Sequence, residues 1–254
     1  MSELAALAAP HVRADARRFY VFAASACVAI AFLGFTPTFW WPIVRGAPAQ
    51  PFIVSLHGFL FFGWTLLFLA QTALVASGRT ALHQELGLAG IATAALMLAV
   101  GIIVLIHSIH LGAGNGFADA AKAFAVVPFS AIVLFAALFA VAIAKRRDSA
   151  LHKRVMLVAT ASLLQPAIGR WFMLFLRAPG DLAPPPVQVT IVPGLLGDLV
   201  FVAGMIYDRK TRGRVHPAYW FAGGAVVAVQ LLRIPLSTSG SWRAIADWLA
   251  AAAL

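Results

Sequence analysis

The chain has 254 residues, 62% of them hydrophobic and only 11% charged, with a mean hydropathy of +0.90 and a formal net charge of +10. Soluble domains carry roughly a quarter charged residues, so a soluble globular domain is excluded, and the positive charge describes membrane topology and contact with anionic lipids rather than nucleic-acid binding, for which no folded basic module exists. Cys27 is the only cysteine, which excludes disulfides, Fe–S clusters, covalently attached haem and thiolate zinc sites.

A spanning helix needs about 20 mainly apolar residues, and backbone groups in lipid must be satisfied within the segment, so every such stretch is a helix. The expected fold is all-α: one transmembrane domain over 1–254, with seven spans near 19–41, 53–77, 87–110, 123–144, 155–176, 190–207 and 217–236. The first span follows "HVRADARR" and ends in "PTFWWP", an aromatic anchor at a membrane interface, and it is too long for a cleavable signal peptide. The second carries His57, Trp64 and Gln71 at intervals of seven, which places them on one face toward the bundle interior.

The third span ends in His107 and His110, one helical turn apart. The "GAGNG" that follows has the wrong glycine spacing for a dinucleotide fingerprint and no preceding strand, and "LHQELG" lacks the second histidine of a metalloprotease pair. The fourth span offers only apolar surface. The fifth holds Ser162, Gln165 and Arg170, with Pro166 loosening the backbone between them. The loop "RAPGDLAPPPVQVT" contains three consecutive prolines and favours an extended path. The sixth span carries Asp198, and the seventh Gln230 and Arg233, followed by Pro235. The tail "SWRAIADWLAAAAL" puts Trp242, Ile245, Trp248 and Leu249 on one face, as a short helix in the outer interface would.

Two loops echo each other, "GRTALHQELG" and "RRDSALHKRVM", with His83 and His152 in matching places. They read as caps and solvated loop ends, with a ligand pair or lipid-headgroup contacts as the alternative.

Lys and Arg in short loops set orientation. Thirteen of the 19 basic residues flank the starts of the odd-numbered spans, four lie on the other side, and Arg170 and Arg233 lie within spans. The N-terminus is therefore expected in the cytoplasm and the C-terminus in the periplasm, in a bacterial inner membrane.

Depth then sorts the polar residues. Under this orientation His57, His107, His110, Arg170 and Arg233 fall toward the outer face, with Asp198 near mid-membrane. Polar groups inside spans are costly and mark candidate sites. Three chemistries fit, beside a purely structural role in interhelical hydrogen bonding. His57, His107 and His110, with Asp198 beside them, make a nitrogen–oxygen set suited to zinc or copper. His57 and His107 could serve as axial ligands of haem b, with an arginine pairing a propionate. Asp198 with Arg170 or Arg233 could form a buried ion pair around a small amphiphilic ligand, with His57 in the same cavity.

The runs "RRFYVF…GFTPTFW", "LHGFLFFGWTLLFLAQTALVASGRTALHQELGLAG", "LHKRVMLVATASLL…AIGRW" and "YDRKTRGRVHPA" resemble a widespread group of uncharacterised bacterial polytopic membrane proteins over most of the chain. His57, Arg79 and His83 are also loosely similar in placement to residues of the cytochrome b561 class. That likeness implies at most one haem, outer through His57 and His107 or inner through His83 and His152, because the fourth span lacks a histidine. The functional expectation is a protein that binds a small molecule or cofactor and is redox-linked if the group is haem. The alternatives are a metal-dependent membrane enzyme and a structural subunit of a larger membrane complex, with lipids as partners in every case and nucleic acid in none.

The topology has a direct test. A reporter fused after Leu254 should read as extracytoplasmic and one inserted in "KRRDSALHKR" as cytoplasmic; the same reading from both would remove one span from the count.

Overall fold

The computed structural model describes residues 3–178 and 180–252, with side chains from residue 18 onward, as helices joined by short connections and without a strand among them. Seven helical stretches among these residues are long and apolar enough to cross a membrane. The first comprises α1 (Glu3–Gly34), a single π-helical turn (Thr36–Trp40) and α2 (Trp41–Val44). Pro37 and Pro42 stand in the first turn of the latter two pieces, where the missing N–H costs least. The second and third are α3 (Phe52–Ala76) and α4 (Thr80–Gly114). The fourth is α5 (Ala118–Phe124) continued by α6 (Val126–Ala144), and the fifth is α7 (Ser149–Ala161) followed by α8 (Gln165–Leu176). A 3-10 turn (Val187–Thr190) leads into α9 (Ile191–Arg212), α10 (Pro217–Ser237) is the seventh span, and α11 (Gly240–Ala250) follows it.

All seven expected spans are present, and several run further than expected. The third begins at Thr80 instead of 87, the fifth at Ser149 instead of 155, and the sixth continues to Arg212 instead of 207. The reason is physical. A helix's polar first and last turns keep the helical hydrogen-bond pattern, but hydropathy registers only the apolar middle. Asp148 shows how such a start is fixed: its Oδ1 accepts from the N–H groups of Ala150 and Leu151, both at 3.0 Å, and these bonds hold its carboxyl below the usual carboxylate range. At the end of α9, Gly213 takes φ +72, the left-handed conformation that stops a helix.

Short connections such as 77–79 and 145–148 make successive spans antiparallel. The starts of α4, α7 and α10 and the ends of α3, α6 and α9 therefore share one end of the bundle, called here the basic end. Large apolar side chains including Phe59, Leu88, Phe175 and Phe221 stay exposed around the outside. An apolar surface of this extent belongs against lipid. Between helices, small residues allow close approach: Gly34 lies on the Ala167 backbone, and Gly204 on the phenol of Tyr219, leaving no room for a Cβ at either glycine.

The most buried charges lie at the basic end. Arg154 on α7 and Asp208 on α9 have side chains only 2% and 1% exposed. They are joined twice, Arg154 Nε to Asp208 Oδ2 at 2.8 Å and Nη2 to Oδ1 at 2.5 Å. Arg154 Nη1 also donates to the Ala150 carbonyl at 2.6 Å, and the His216 N–H donates to Asp208 Oδ2 at 3.1 Å. The Arg154 guanidinium sits over the Tyr219 ring at 5.9 Å, and the Tyr219 hydroxyl meets that of Tyr20 on α1 at 3.3 Å. His216 caps α10 by accepting the Ala218 N–H at Nδ1, 3.1 Å away; burial, then the charges of Arg154 and Arg212, hold its imidazole below the ordinary histidine value. The sequence reading left Arg154 in the loop before the fifth span and Asp208 beyond the sixth, with Asp198 as the acidic residue that the sixth span carries. The extended helices α7 and α9 overturn that.

α11 also departs from expectation. Trp242, Ala246 and Leu249 are its buried face, at helical intervals of four and three, whereas Ile245 and Trp248 are exposed. Trp242 Nε1 donates to the Lys122 carbonyl at 2.8 Å, and Lys122 Nζ pairs with Asp247 Oδ1 at 2.7 Å. The helix is docked on α4 and α5 through half of the aromatic set that was grouped on one face.

Arg154→Met should destabilise the purified protein by about 3–5 kcal/mol, because it strands a buried carboxylate. Arg154→Met combined with Asp208→Leu should recover most of that loss. Thermal unfolding in detergent measures both, and a double variant no more stable than the single one would contradict the pairing.

Candidate functional site

Span five is broken near its middle. α7 stops at Ala161 and α8 starts at Gln165, and between them neither the Ser162 nor the Leu163 carbonyl receives a main-chain hydrogen bond among those described. Pro166 explains half of this, since it has no N–H to give to Ser162 four residues back. Irregular backbone at membrane depth is tolerated where protein or a cavity surrounds it. Here span six surrounds it: a Cβ on Gly197 would stand 3.6 Å from the Ala161 carbonyl oxygen and 3.7 Å from the Gln165 nitrogen. α9 thus lies in van der Waals contact with the break.

Asp198 is the next residue and is 4% exposed. Its Oδ1 accepts from Gln230 Nε2 on α10 at 3.2 Å. Its Oδ2 and the Oε1 of Gln230 are buried with no hydrogen-bond partner. Gly194, one turn earlier on α9, makes room for the Gln230 amide, whose atoms would lie 3.0–3.1 Å from a Cβ there. Arg233, one turn beyond Gln230, is 3% exposed and donates through Nε to Ser130 Oγ on α6 at 2.8 Å. Its charge acts on Asp198 through space.

The direct pairing expected between Asp198 and an arginine is not made, because Gln230 and Ser130 take the near positions. The described ion pairs are Lys122–Asp247, Arg154–Asp208 and Arg177–Asp181. Arg170 turns away, donating through Nη1 to the Pro166 carbonyl at 2.8 Å and lying 3.7 Å over the Phe35 ring. It belongs with His57, on which its charge acts. The His57 ring stacks on Phe61 at 4.2 Å, and both His57 Nδ1 and Arg170 Nε are buried without partners. Beside them Phe32, Leu33, Thr36 and Trp40 line an open groove of about 330 Å³. The polar residues of the half opposite the basic end therefore form two groups, Asp198–Gln230–Arg233 and His57–Arg170, and no described contact joins His57 to Asp198.

His107 is half-buried and has no described contact with His57, and His110 is exposed with Nε2 bonded to the Ala250 carbonyl of α11 at 2.8 Å. Among the described residues no three His, Cys, Asp or Glu side chains are gathered as a metal ion would require. Trp64 is buried as expected, its Nε1 donating to Thr160 Oγ1 at 3.3 Å, while Gln71 is half-buried with Oε1 unpartnered. His83 and His152, treated in the sequence as loop ends, come together at the basic end with ring centres 6.5 Å apart.

Comparison of the chain with protein-family models, with curated proteins and with solved structures returns no match.

Replacing Asp198 by Asn removes a carboxylate whose charge reaches Arg233 from the adjacent helix α9. Asp198→Asn should lower thermal stability more than Asp181→Asn, whose side chain is 42% exposed in a loop. Adding Arg233→Met should restore part of it, with a coupling of about 0.5–3 kcal/mol. Additive effects of the two substitutions would show that the charges do not interact.

Proposed function

We propose that this is a multi-pass protein of a bacterial inner membrane, N-terminus in the cytoplasm and C-terminus outside, that binds a small amphiphile at Asp198. The observation that carries the reading is the broken fifth span lying against Gly197–Asp198 while two buried acceptor oxygens, Asp198 Oδ2 and Gln230 Oε1, lack a donor. Buried polar atoms without partners are rare and call for an occupant. Discontinuous helices near the bilayer centre are where membrane carriers place their substrates, because the freed carbonyls and side chains there can bind what the lipid cannot.

The residues define the ligand's chemistry. Two acceptor oxygens require N–H or O–H donors. Arg233 offsets the charge of Asp198, so the site favours a molecule that is neutral overall. The apolar surroundings suit a hydrocarbon tail. A small amphiphile with an alcohol or primary-amide head meets these conditions. Chemistry on that ligand would need a further reactive group, so binding or carriage is the reading adopted.

An apolar carbodiimide, which modifies carboxyls shielded from water, tests it in native membrane vesicles. Peptide mass analysis should find the adduct on Asp198 and not on Asp181 or Asp247, and n-decanol or decanamide should slow its formation. A carboxyl sealed between helices would stay unmodified. That result, or labelling indifferent to both amphiphiles, would overturn the proposal.

A further inference from the structure

The seventh span begins with His216 as its cap and Pro217 as its first helical residue. Proline has no N–H, so the first amide donor of α10 belongs to Ala218. The helix itself offers no acceptor to an amide in its opening turn. This one goes to Nδ1 of His216, 3.1 Å away. Caps are ordinarily made by side-chain oxygens. Asp148 caps α7 and Ser239 caps α11 in that way, whereas α10 is capped by a ring nitrogen.

That choice makes capping depend on acidity. Nδ1 accepts here, so the neutral ring carries its proton on Nε2. A second proton can enter only at Nδ1, the atom that holds the Ala218 N–H. Four charged groups act on the ring: Arg154 from α7, Arg212 and Asp208 from α9, and Asp148 from the turn before α7. Both carboxylates are committed, Asp208 through two bonds to Arg154 and Asp148 through Oδ1 to the start of α7. The N-terminal end of α10 is itself a pole of positive charge. An imidazolium would therefore lose its bond and face Arg154, Arg212 and the helix end together. Burial and these arginines already hold the ring below the ordinary histidine value. With the folded value under the unfolded one of about 6.5, the cap's contribution is complete above that pH and is lost as pH falls through the folded value.

We infer that His216 is an acid-sensitive latch at the basic end, where a proton on Nδ1 frees the Ala218 N–H and loosens the first turn of α10. Tyr219 stands in that turn, with its hydroxyl on that of Tyr20 and its ring beneath Arg154. Acid therefore weakens the hold of the seventh span on the first. The bond from the His216 main-chain N–H to Asp208 has no group that titrates near neutrality, so the Arg154–Asp208 pair keeps its place. His216 is half-buried in the short connection between α9 and α10, within reach of protons from the loop side. The latch stands apart from Asp198 and does not rest on the ligand proposed there.

Hydrogen–deuterium exchange of the full chain in detergent tests it, read peptide by peptide at about pH 8 and about pH 4.5, on either side of the ordinary histidine value. Rates are taken relative to the intrinsic chemical rate at each pH. Amides at the start of α10 should exchange ~5-fold or more faster at the lower pH, the effect of losing one cap. The start of α7 should keep its protection, because Asp148 remains ionised there. His216→Asn supplies a capping oxygen that takes up no proton in this range and keeps the main-chain N–H for Asp208, so it should abolish the response. The wild-type comparison requires no variant to fold. Equal protection of the α10 start at both pH values overturns the latch. So does an acid response in His216→Asn as large as in the wild type, or a loss of protection shared equally by the starts of α7 and α10.

Discussion

A guanidinium and a carboxylate removed from water must hold each other in both bonds or not be there at all, and Arg154 and Asp208 meet that condition. Their net contribution to stability is small, since desolvation consumes most of the attraction. Their effect is on geometry. With Arg154 fixed, α7 has one depth and one rotation relative to α9. Asp208 also accepts the His216 N–H, so the turn into α10 is fixed by the same carboxylate. Tyr219 and Tyr20 bring in the first span. Four of the seven spans are thus located by one ion pair and the groups that satisfy it.

That fixed end lets the rest of the fifth span be irregular. α7 is anchored at its base, so the break at 162–164 does not free the helix to slide, and α8 packs separately through Ala167 against Gly34 of α1. The contrast in hydrogen bonding follows the same division. Around Arg154 and Asp208 the described polar groups bond to one another. In the opposite half Asp198, Gln230, His57 and Arg170 each keep a buried atom without a partner. His83 and Gln71 also keep such atoms toward the basic end, with His83 beside His152.

The sequence made the spans legible because apolar length is a property of consecutive residues. It also made the depth of Asp198, Gln230 and Arg233 legible, since helical rise converts residue number into height. It did not reveal which way each helix is turned. Hence Asp198 was expected against an arginine and lies against Gln230, and His57 was grouped with Asp198 although Arg170 is its neighbour. Arg154 and Asp208 were missed for a different reason: each sits in a run of charges, "HKR" and "DRKTR", and such runs ordinarily face water. The available clue was periodicity, because Asp208 follows Phe201 and Gly204 at intervals of three and four on the face that α9 buries. The matching "ALH" runs marked equivalent helix starts, and the fold sets His83 and His152 beside each other there.

Tyr20 and Tyr219 touch although 199 residues separate them. In a chain inserted as it is synthesised, the first span reaches the membrane long before its partner exists. At 5–20 residues per second the interval is roughly 10 to 40 s. Throughout that time Tyr20, buried in the finished fold, lacks the Tyr219 hydroxyl and meets lipid, an earlier span or the insertion machinery in its place. Biogenesis of this protein is therefore a matter of waiting as much as of packing, and its earliest helix has the longest wait.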